Sequence, residues 1–303
     1  MINQIKVAYL LLVHNNPKQL NIFINQLLNN GDCDIYIHID RKNREIEKEI
    51  VQNSHIHIYS IYEVKWGSFE IIKASIYLMR KAIKSNIQYT HFYFGSGQDL
   101  LVKKGLYKYL SDHPKDIFIN VYNEVNDMSR IGARYRVCWP KILMKRNDVH
   151  IYRLIRFIIQ ILCSIGIVMF PNRHKLRKGI RIYTGSTWFL GTYDLLCYII
   201  QYLDNNCYYM DFWKNSLASD LMFFHTIIMN SEYSTNIVGD IVYKKWGATL
   251  KSRNHPVIIE MKNIKEIEES DFYFARKFDM SVDYNVISYY YKSISYNVHE
   301  EKS

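Results

Sequence analysis

The first hundred residues alternate between unbroken apolar runs and runs of helical spacing. Residues 6–14, KVAYLLLVH, are almost continuously apolar, the pattern of a parallel strand buried on both faces. Pro17 sets the first turn of a helix reaching about residue 28, and Gly31 stops it. Residues 34–39 read as a second strand closed by Asp40, 54–59 alternate as a third, 68–83 have helical spacing, and 89–94 form a fourth apolar run. This β-α-β-α-β-α-β series predicts an α/β fold, a Rossmann-like, mostly parallel sheet flanked by helices that makes a doubly wound nucleotide-binding half.

In FYFGSGQDLLVK, residues 92–103, the apolar run stops at Gly95-Ser96-Gly97 and presents Gln98 and Asp99. Ligands of open α/β sheets bind beyond the carboxyl ends of the strands, which puts Asp99 on the floor of a cleft ahead of a helix beginning near Lys103. A polar turn whose aspartate caps that helix is the plainer alternative. His14 and Asp40 end neighbouring strands, and right-handed crossovers bring them to one rim. Taken singly they also have plainer roles, His14 bonded to a loop and Asp40 capping a helix over 42–50. Asp32-Cys33-Asp34 has the Asp-x-Asp form that holds a metal between phosphates in many nucleotide-sugar transferases. Here it precedes its strand, at the edge away from the cleft, and reads as turn chemistry.

Residues 123–145 are polar, basic and without clear period, with Arg130, Arg134 and Arg136 interleaved with Tyr135 and Trp139, the character of an acceptor-side loop. Residues 154–170, LIRFIIQILCSIGIVMF, are strongly apolar but broken by Arg156 and Gln160 and followed by NRHKLRK. A membrane span needs ~20 apolar residues, so this run reads either as an interfacial helix on an anionic leaflet or as a core helix covering the sheet. A strand over 181–190 carries Trp188 and leads into a helix over 193–203. Ser219 or Asp220 is placed to cap the amphipathic run 221–230, and 272–279, FYFARKFD, sets Arg276 and Lys277 between aromatics.

At 303 residues, 49% of them hydrophobic, the chain can bury one large core. We expect a single domain over 1–303 with a basic amphipathic excursion at about 145–180. Lys and Arg exceed Asp and Glu by ten, which favours anionic partners. The charge is scattered except between Arg134 and Arg181, and no zinc-finger, helix-turn-helix or basic-region pattern is present, so nucleic acid is not expected as a partner. Five cysteines without metal spacing point to a reducing compartment, and the amino terminus runs into a strand pattern without a signal-peptide cleavage site.

Several stretches, in one order, carry a family likeness: AYLLLVHNNPKQL, IHIDRK, VKWGSF, SGQDL, GSTWFL, SDLMFFHTIIMNS and FARKFD, spanning roughly residues 8–279. Together they resemble the core-2/I-branching β-1,6-N-acetylglucosaminyltransferases and xylosyltransferases, glycosyltransferase family 14, particularly its bacterial members. The resemblance implies a GT-A fold, a UDP-sugar donor, inversion at the anomeric carbon and no metal cofactor. By matched position, Leu12, His14 and Asp40 line the uridine pocket, Trp66 and Gly67 shape the donor cleft, and Asp99 lies beside the reacting sugars. Lys277, with Arg276 beside it, matches the basic residue that holds the donor diphosphate, where a leaving group needs electrostatic stabilisation. Gln98, Trp188 and Arg134 are the acceptor-side candidates.

The chain departs from the family at three places. Where the family has its catalytic Glu, in a Pro-Asp-Glu-x-Phe-Phe pattern, residues 219–224 read SDLMFF, so Leu221 takes the Glu position. Asp220 is then the candidate base, with Asp99 in reserve. A second basic residue expected about twenty positions before Lys277 falls on Val257, with Lys251 and Arg253 nearby, and Leu101 stands in place of a proline.

The leading expectation is a cytoplasmic glycosyltransferase, peripheral on the inner face of the cell membrane. It would extend a surface polysaccharide or glycolipid from a nucleotide-sugar donor onto a glycan or lipid-linked glycan acceptor. A sugar-nucleotide-binding pseudoenzyme is the alternative that Leu221 and Val257 support. A nucleotidyltransferase would need a metal-binding acidic pair in the cleft, and the sequence supplies none.

Overall fold

The computed structural model describes residues 4–65, 67–144, 151–247 and 256–295. Strand β1 (Lys6–Val13) is followed by α1 (Pro17–Asn30), β2 (Asp32–Ile39), a 3-10 segment (Arg41–Glu49), β3 (Ile56–Tyr59), α2 (Glu70–Lys84) and β4 (His91–Ser96). Pro17 does occupy the first turn of α1, where the Asn16 side chain caps the helix by accepting the Gln19 amide. Next come β5 (Leu100–Leu101), α3 (Leu106–Asp112), β6 (Ile117–Glu124), α4 (Ala133–Arg136), α5 (Ile151–Ser164) and β7 (Tyr183–Thr192). The chain continues through α6 (Tyr193–Asn205), α7 (Cys207–Trp213), α8 (Phe223–Met229), β8 (Ile237–Gly239), β9 (Val242–Lys244), α9 (Ile264–Glu268), β10 (Phe274–Arg276) and α10 (Tyr284–Ser295).

Seven strands form one sheet in the order β3-β2-β1-β4-β7-β6-β8, parallel except for β7, which runs against both neighbours. β1 and β4 are buried on both faces, which explains why they read as continuous apolar runs. One face packs on α1 and α10, with Leu20, Phe23 and Tyr290 in its core. The other packs on α2, α6 and α8, with Met79, Leu196 and Phe223. A third, smaller apolar cluster sits under α4 and α5 and includes Trp139, Ile159 and Cys163. A second sheet, β5-β10-β9, fastens the late strand β10 beside the turn that follows β4.

The mostly parallel α/β architecture is the one expected, and the differences are local. The fourth strand runs two residues further than the apolar count implies, to Ser96, because Gly95 extends it where side chains cannot fit. A Cβ at Gly95 would meet the Tyr93 ring at 2.2 Å and an Asp99 carboxylate oxygen at 2.8 Å. The helix placed near Lys103 begins at Leu106, since Leu100 and Leu101 are used in the small sheet. Asp32 opens β2 rather than preceding it. Asp34 is buried within the strand, paired with Lys6 at 3.2 Å and His55 at 2.9 Å, far along the strand from the carboxyl edge. Neither Ser219 nor Asp220 caps α8. They form a separate 3-10 turn (Ser219–Leu221), and the N-cap position belongs to Met222.

Candidate active site

Strand ends and the turn after β10 converge at the carboxyl edge of the parallel strands on a cavity of about 350 Å³. β1 contributes Leu12 and Val13, with His14 just beyond, β2 contributes His38 and then Asp40, the turn after β4 contributes Ser96 and Gln98, and β7 contributes Thr187 and Trp188. Asp220, Arg276 and Lys277 complete the wall. A larger concavity, about 730 Å³, opens where β4 begins and β7 ends, between Thr90, Asp194 and Glu232. It lies at the amino edge of the parallel strands and offers one cation, Lys115, whereas ligands of such sheets bind at the carboxyl edge, so chemistry favours the smaller cavity.

Each functional side chain is set by a traceable local cause. Asp40 caps the 3-10 segment by accepting the Lys42 amide at 3.1 Å while also lining the cavity, so its plain role and its site position coexist. His14 stands at the exposed rim, where the Asn43 side-chain amide donates to its carbonyl. Desolvation and the nearby Lys277 push its imidazole below the ordinary value against the pull of Asp40, so it faces ligands neutral at pH 7. Arg276 is nearly buried, with its guanidinium 4.3 Å from the Trp188 ring centroid, donating to Ser96 Oγ at 3.3 Å and pairing with Asp99 at 3.6 Å.

Asp99 is fully buried and lines none of the cavity. Its carboxylate accepts the Ser96 amide at 2.8 Å, the Ser96 hydroxyl at 3.1 Å and the Tyr93 hydroxyl at 3.1 Å. It lies beneath the cleft floor, not on it, because Gly95 lets the turn fold back over it. Asp220 contrasts with this. Its Oδ2 accepts the Thr187 hydroxyl at 3.0 Å, and its Oδ1 is buried without a partner among the described residues. Burial raises its pKa above the ordinary aspartate value, against the opposing pull of Thr187 and Arg134. Arg134 is outside the cavity lining but close enough to Asp220 for their charges to interact, and burial holds its guanidinium below the ordinary value.

Of the other expected residues, Gly67 does not line the cavity. It adopts φ +68° and its carbonyl accepts the Ala218 amide at 3.0 Å, bracing the turn that carries Asp220. Trp66, Lys251 and Arg253 lie outside the described residues. Val257 is a described loop residue, and Leu221 is absent from the cavity wall.

Four residues near the site have no counterpart among the expected ones. Thr187 was readable only as part of GSTWFL. Gln19 pins the turn after β10, donating to the Phe278 carbonyl at 3.1 Å and accepting the Met280 amide at 3.0 Å. Lys244 and Asp240 form a buried pair at 2.6 Å behind Ser186, and four-residue spacing was their single sequence signal.

A seven-strand, mostly parallel sheet flanked by helices, with a cavity at its carboxyl edge, is the architecture of a GT-A-type fold. The chain belongs to the Core-2/I-Branching enzyme family, whose family model matches residues 7–273. Xylosyltransferase 1 of Homo sapiens is 21% identical to it over 312 residues, covering 94% of this chain and 30% of that protein. The same enzyme of Canis lupus familiaris is 20% identical over 311 residues, covering 94% and 30%. That of Rattus norvegicus is 21% identical over 311 residues, covering 94% and 35%. The chain therefore spans about a third of the length of these relatives.

Proposed function

We propose that the chain is an inverting, metal-independent glycosyltransferase. It moves a sugar from a UDP-sugar donor to a hydroxyl of a glycan acceptor in surface polysaccharide or glycolipid synthesis. The observation that carries this reading is the one cavity shared by Leu12, His14, Asp40, Arg276, Lys277 and Asp220. Leu12, His14 and Asp40 take the nucleoside end, with neutral His14 free to accept or donate one hydrogen bond. Lys277 and Arg276 meet the diphosphate, and Gln98 and Trp188 border the acceptor.

In a single displacement the acceptor oxygen bonds to the anomeric carbon as the bond from that carbon to the diphosphate breaks. The hydroxyl proton passes to Asp220, and the nucleoside diphosphate leaves with its charge met by the two cations. Asp220 suits the base because its Oδ1 has no competing partner among the described residues while Thr187 orients the other oxygen. Anionic lipid at the inner face of the cell membrane is the proposed neighbour, supported by the basic run that includes α4 and α5.

No three His, Cys, Asp or Glu side chains converge as metal ligands among the described residues. Titration with UDP, with and without EDTA, tests the diphosphate assignment. Binding should be unchanged by the chelator, and its abolition by EDTA with restoration by manganese sinks the reading. A second reading, a nucleotide-binding pseudoenzyme, is favoured by Leu221 at the family's Glu position. Leu221→Glu separates the two, since a gain of transfer from an inactive parent supports the pseudoenzyme.

A further inference from the structure

We infer that the exposed apolar face of α5, with the cations around it, is a docking surface for an anionic lipid bilayer. Twelve of the twenty most exposed large apolar side chains among the described residues fall between Met128 and Phe170. On α5 itself Ile151, Leu154, Ile158 and Ile161 recur at spacings of three and four, joined by Phe157 and by Ile165 just past the helix end, and all six are exposed. The helix has two other sides. Ile159 and Cys163 face the third core cluster, and Arg153, Arg156, Gln160 and Ser164 form a polar stripe between the two apolar faces. One apolar face against protein, one against solvent and a polar flank between them is the pattern of a helix lying in a membrane interface. No helix among the described residues is long and apolar enough to cross a membrane.

Charge selects the occupant. From Met128 to Tyr193 the sequence holds thirteen Lys and Arg against a single acid, Asp148, whereas the rest of the chain holds 26 basic and 28 acidic residues. This segment therefore carries a net +12 and the rest of the chain a net −2, so the chain's excess of positive charge lies here. A second copy of the chain would bring two such segments together, and like charges would meet across the two-fold axis. An anionic leaflet offers the complement of both features, acyl chains for the apolar face and head groups for the cations.

The surface is also joined to the site. Arg134 of α4 accepts the Leu217 amide at 2.9 Å, Trp139 donates its amide to Asn215 at 2.9 Å, and Leu217 is three residues before Asp220. Docking would thus hold the candidate base near the leaflet. It rests on the proposed transfer reaction only in that a lipid-linked acceptor would arrive from the same leaflet.

Flotation of the full chain with phosphatidylcholine vesicles, with and without phosphatidylglycerol, tests the surface without requiring turnover. We expect flotation with the anionic vesicles at low salt and at least tenfold weaker binding at high salt. Leu154→Glu/Ile158→Glu should lower binding at least tenfold while its melting temperature and circular dichroism spectrum match those of the parent, showing an intact fold. Equal flotation of parent and variant overturns the proposal. So does absence of parental flotation combined with self-association in sedimentation that the variant abolishes, which would assign the face to a second copy. A failed transfer assay would leave the flotation result standing, so the two readings fail separately.

Discussion

The cations of the carboxyl-edge cavity and those of the basic excursion keep different company. Arg276 is 7% exposed and held by Trp188, Ser96 and Asp99, so its guanidinium is fixed before any ligand arrives. Arg173, Lys175 and Lys178 are exposed and make no ion pair among the described residues. A fixed cation suits one diphosphate in one pose, because no reorganisation accompanies the developing charge. Exposed, unheld cations suit a diffuse surface whose charges have no set positions. The two carboxylates divide in the same way. Asp99 is saturated with hydrogen bonds and serves the framework, while Asp220, in the cavity wall, keeps one oxygen without a partner among the described residues.

The sharpest test of that division is Asp220→Asn. Loss of a positioned general base costs roughly 10²–10⁴-fold in turnover, with UDP affinity retained. The same change should leave the fold at least as stable at pH 7. A carboxyl whose pKa is raised by folding stabilises below its unfolded value and loses that contribution as pH rises through the folded value, so removing the charge relieves a cost at neutral pH. Activity runs the other way. The base works only when ionised, so the acid limb of the pH–rate profile should lie above the ordinary aspartate value of about 3.9. Parental turnover in Asp220→Asn would transfer the role elsewhere.

Asp99→Ala should act on the framework first. It strands the buried Arg276 guanidinium and frees the Ser96 amide, and breaking such a pair costs about 3–5 kcal/mol of stability. Chemical denaturation measures this, and a loss of turnover without loss of stability would make Asp99 a chemical group instead. Lys277→Ala is smaller, weakening UDP binding by roughly 1.5–3 kcal/mol as expected for hydrogen bonds to a charged group. Calorimetry in the presence of EDTA reads that effect on its own.

The same contrast explains what was legible in the sequence. Strand ends announce themselves, because a run buried on both faces must stop where the chain meets water. His14, Asp40 and Gln98 were therefore placed at the correct edge from hydrophobic pattern alone. Asp99 was put on the cleft floor because pattern reports position along a strand but not which way a turn folds. The fold-back over its carboxylate depends on Gly95 meeting the Tyr93 ring. The pattern offers Ser219 or Asp220 as a helix cap, beside the candidate base role of Asp220, because 3-10 and α turns have nearly the same spacing and the break before Phe223 has no residue signature. Thr187 and Gln19 act across large sequence separations, and the Lys244–Asp240 pair, though four residues apart, is tied to the sheet through Ser186, contacts that no local period encodes.

The smallest expected effect distinguishes the two regions most cleanly. Lys175 and Lys178 are exposed and unpaired among the described residues, so replacing both with Gln should shift stability by no more than about 0.5 kcal/mol, the range for surface substitutions. UDP affinity should also hold, since neither side chain lines the cavity. Attachment to anionic vesicles should fall by about 1 kcal/mol for each charge removed, and the deficit should vanish at high salt as screening removes the parental advantage. Equal vesicle binding by parent and variant at low salt would mean that these two cations do not reach the head groups. The apolar face of α5 would then have to dock with that basic flank turned away, leaving Arg153 and Arg156 on its polar stripe as the cations to test next.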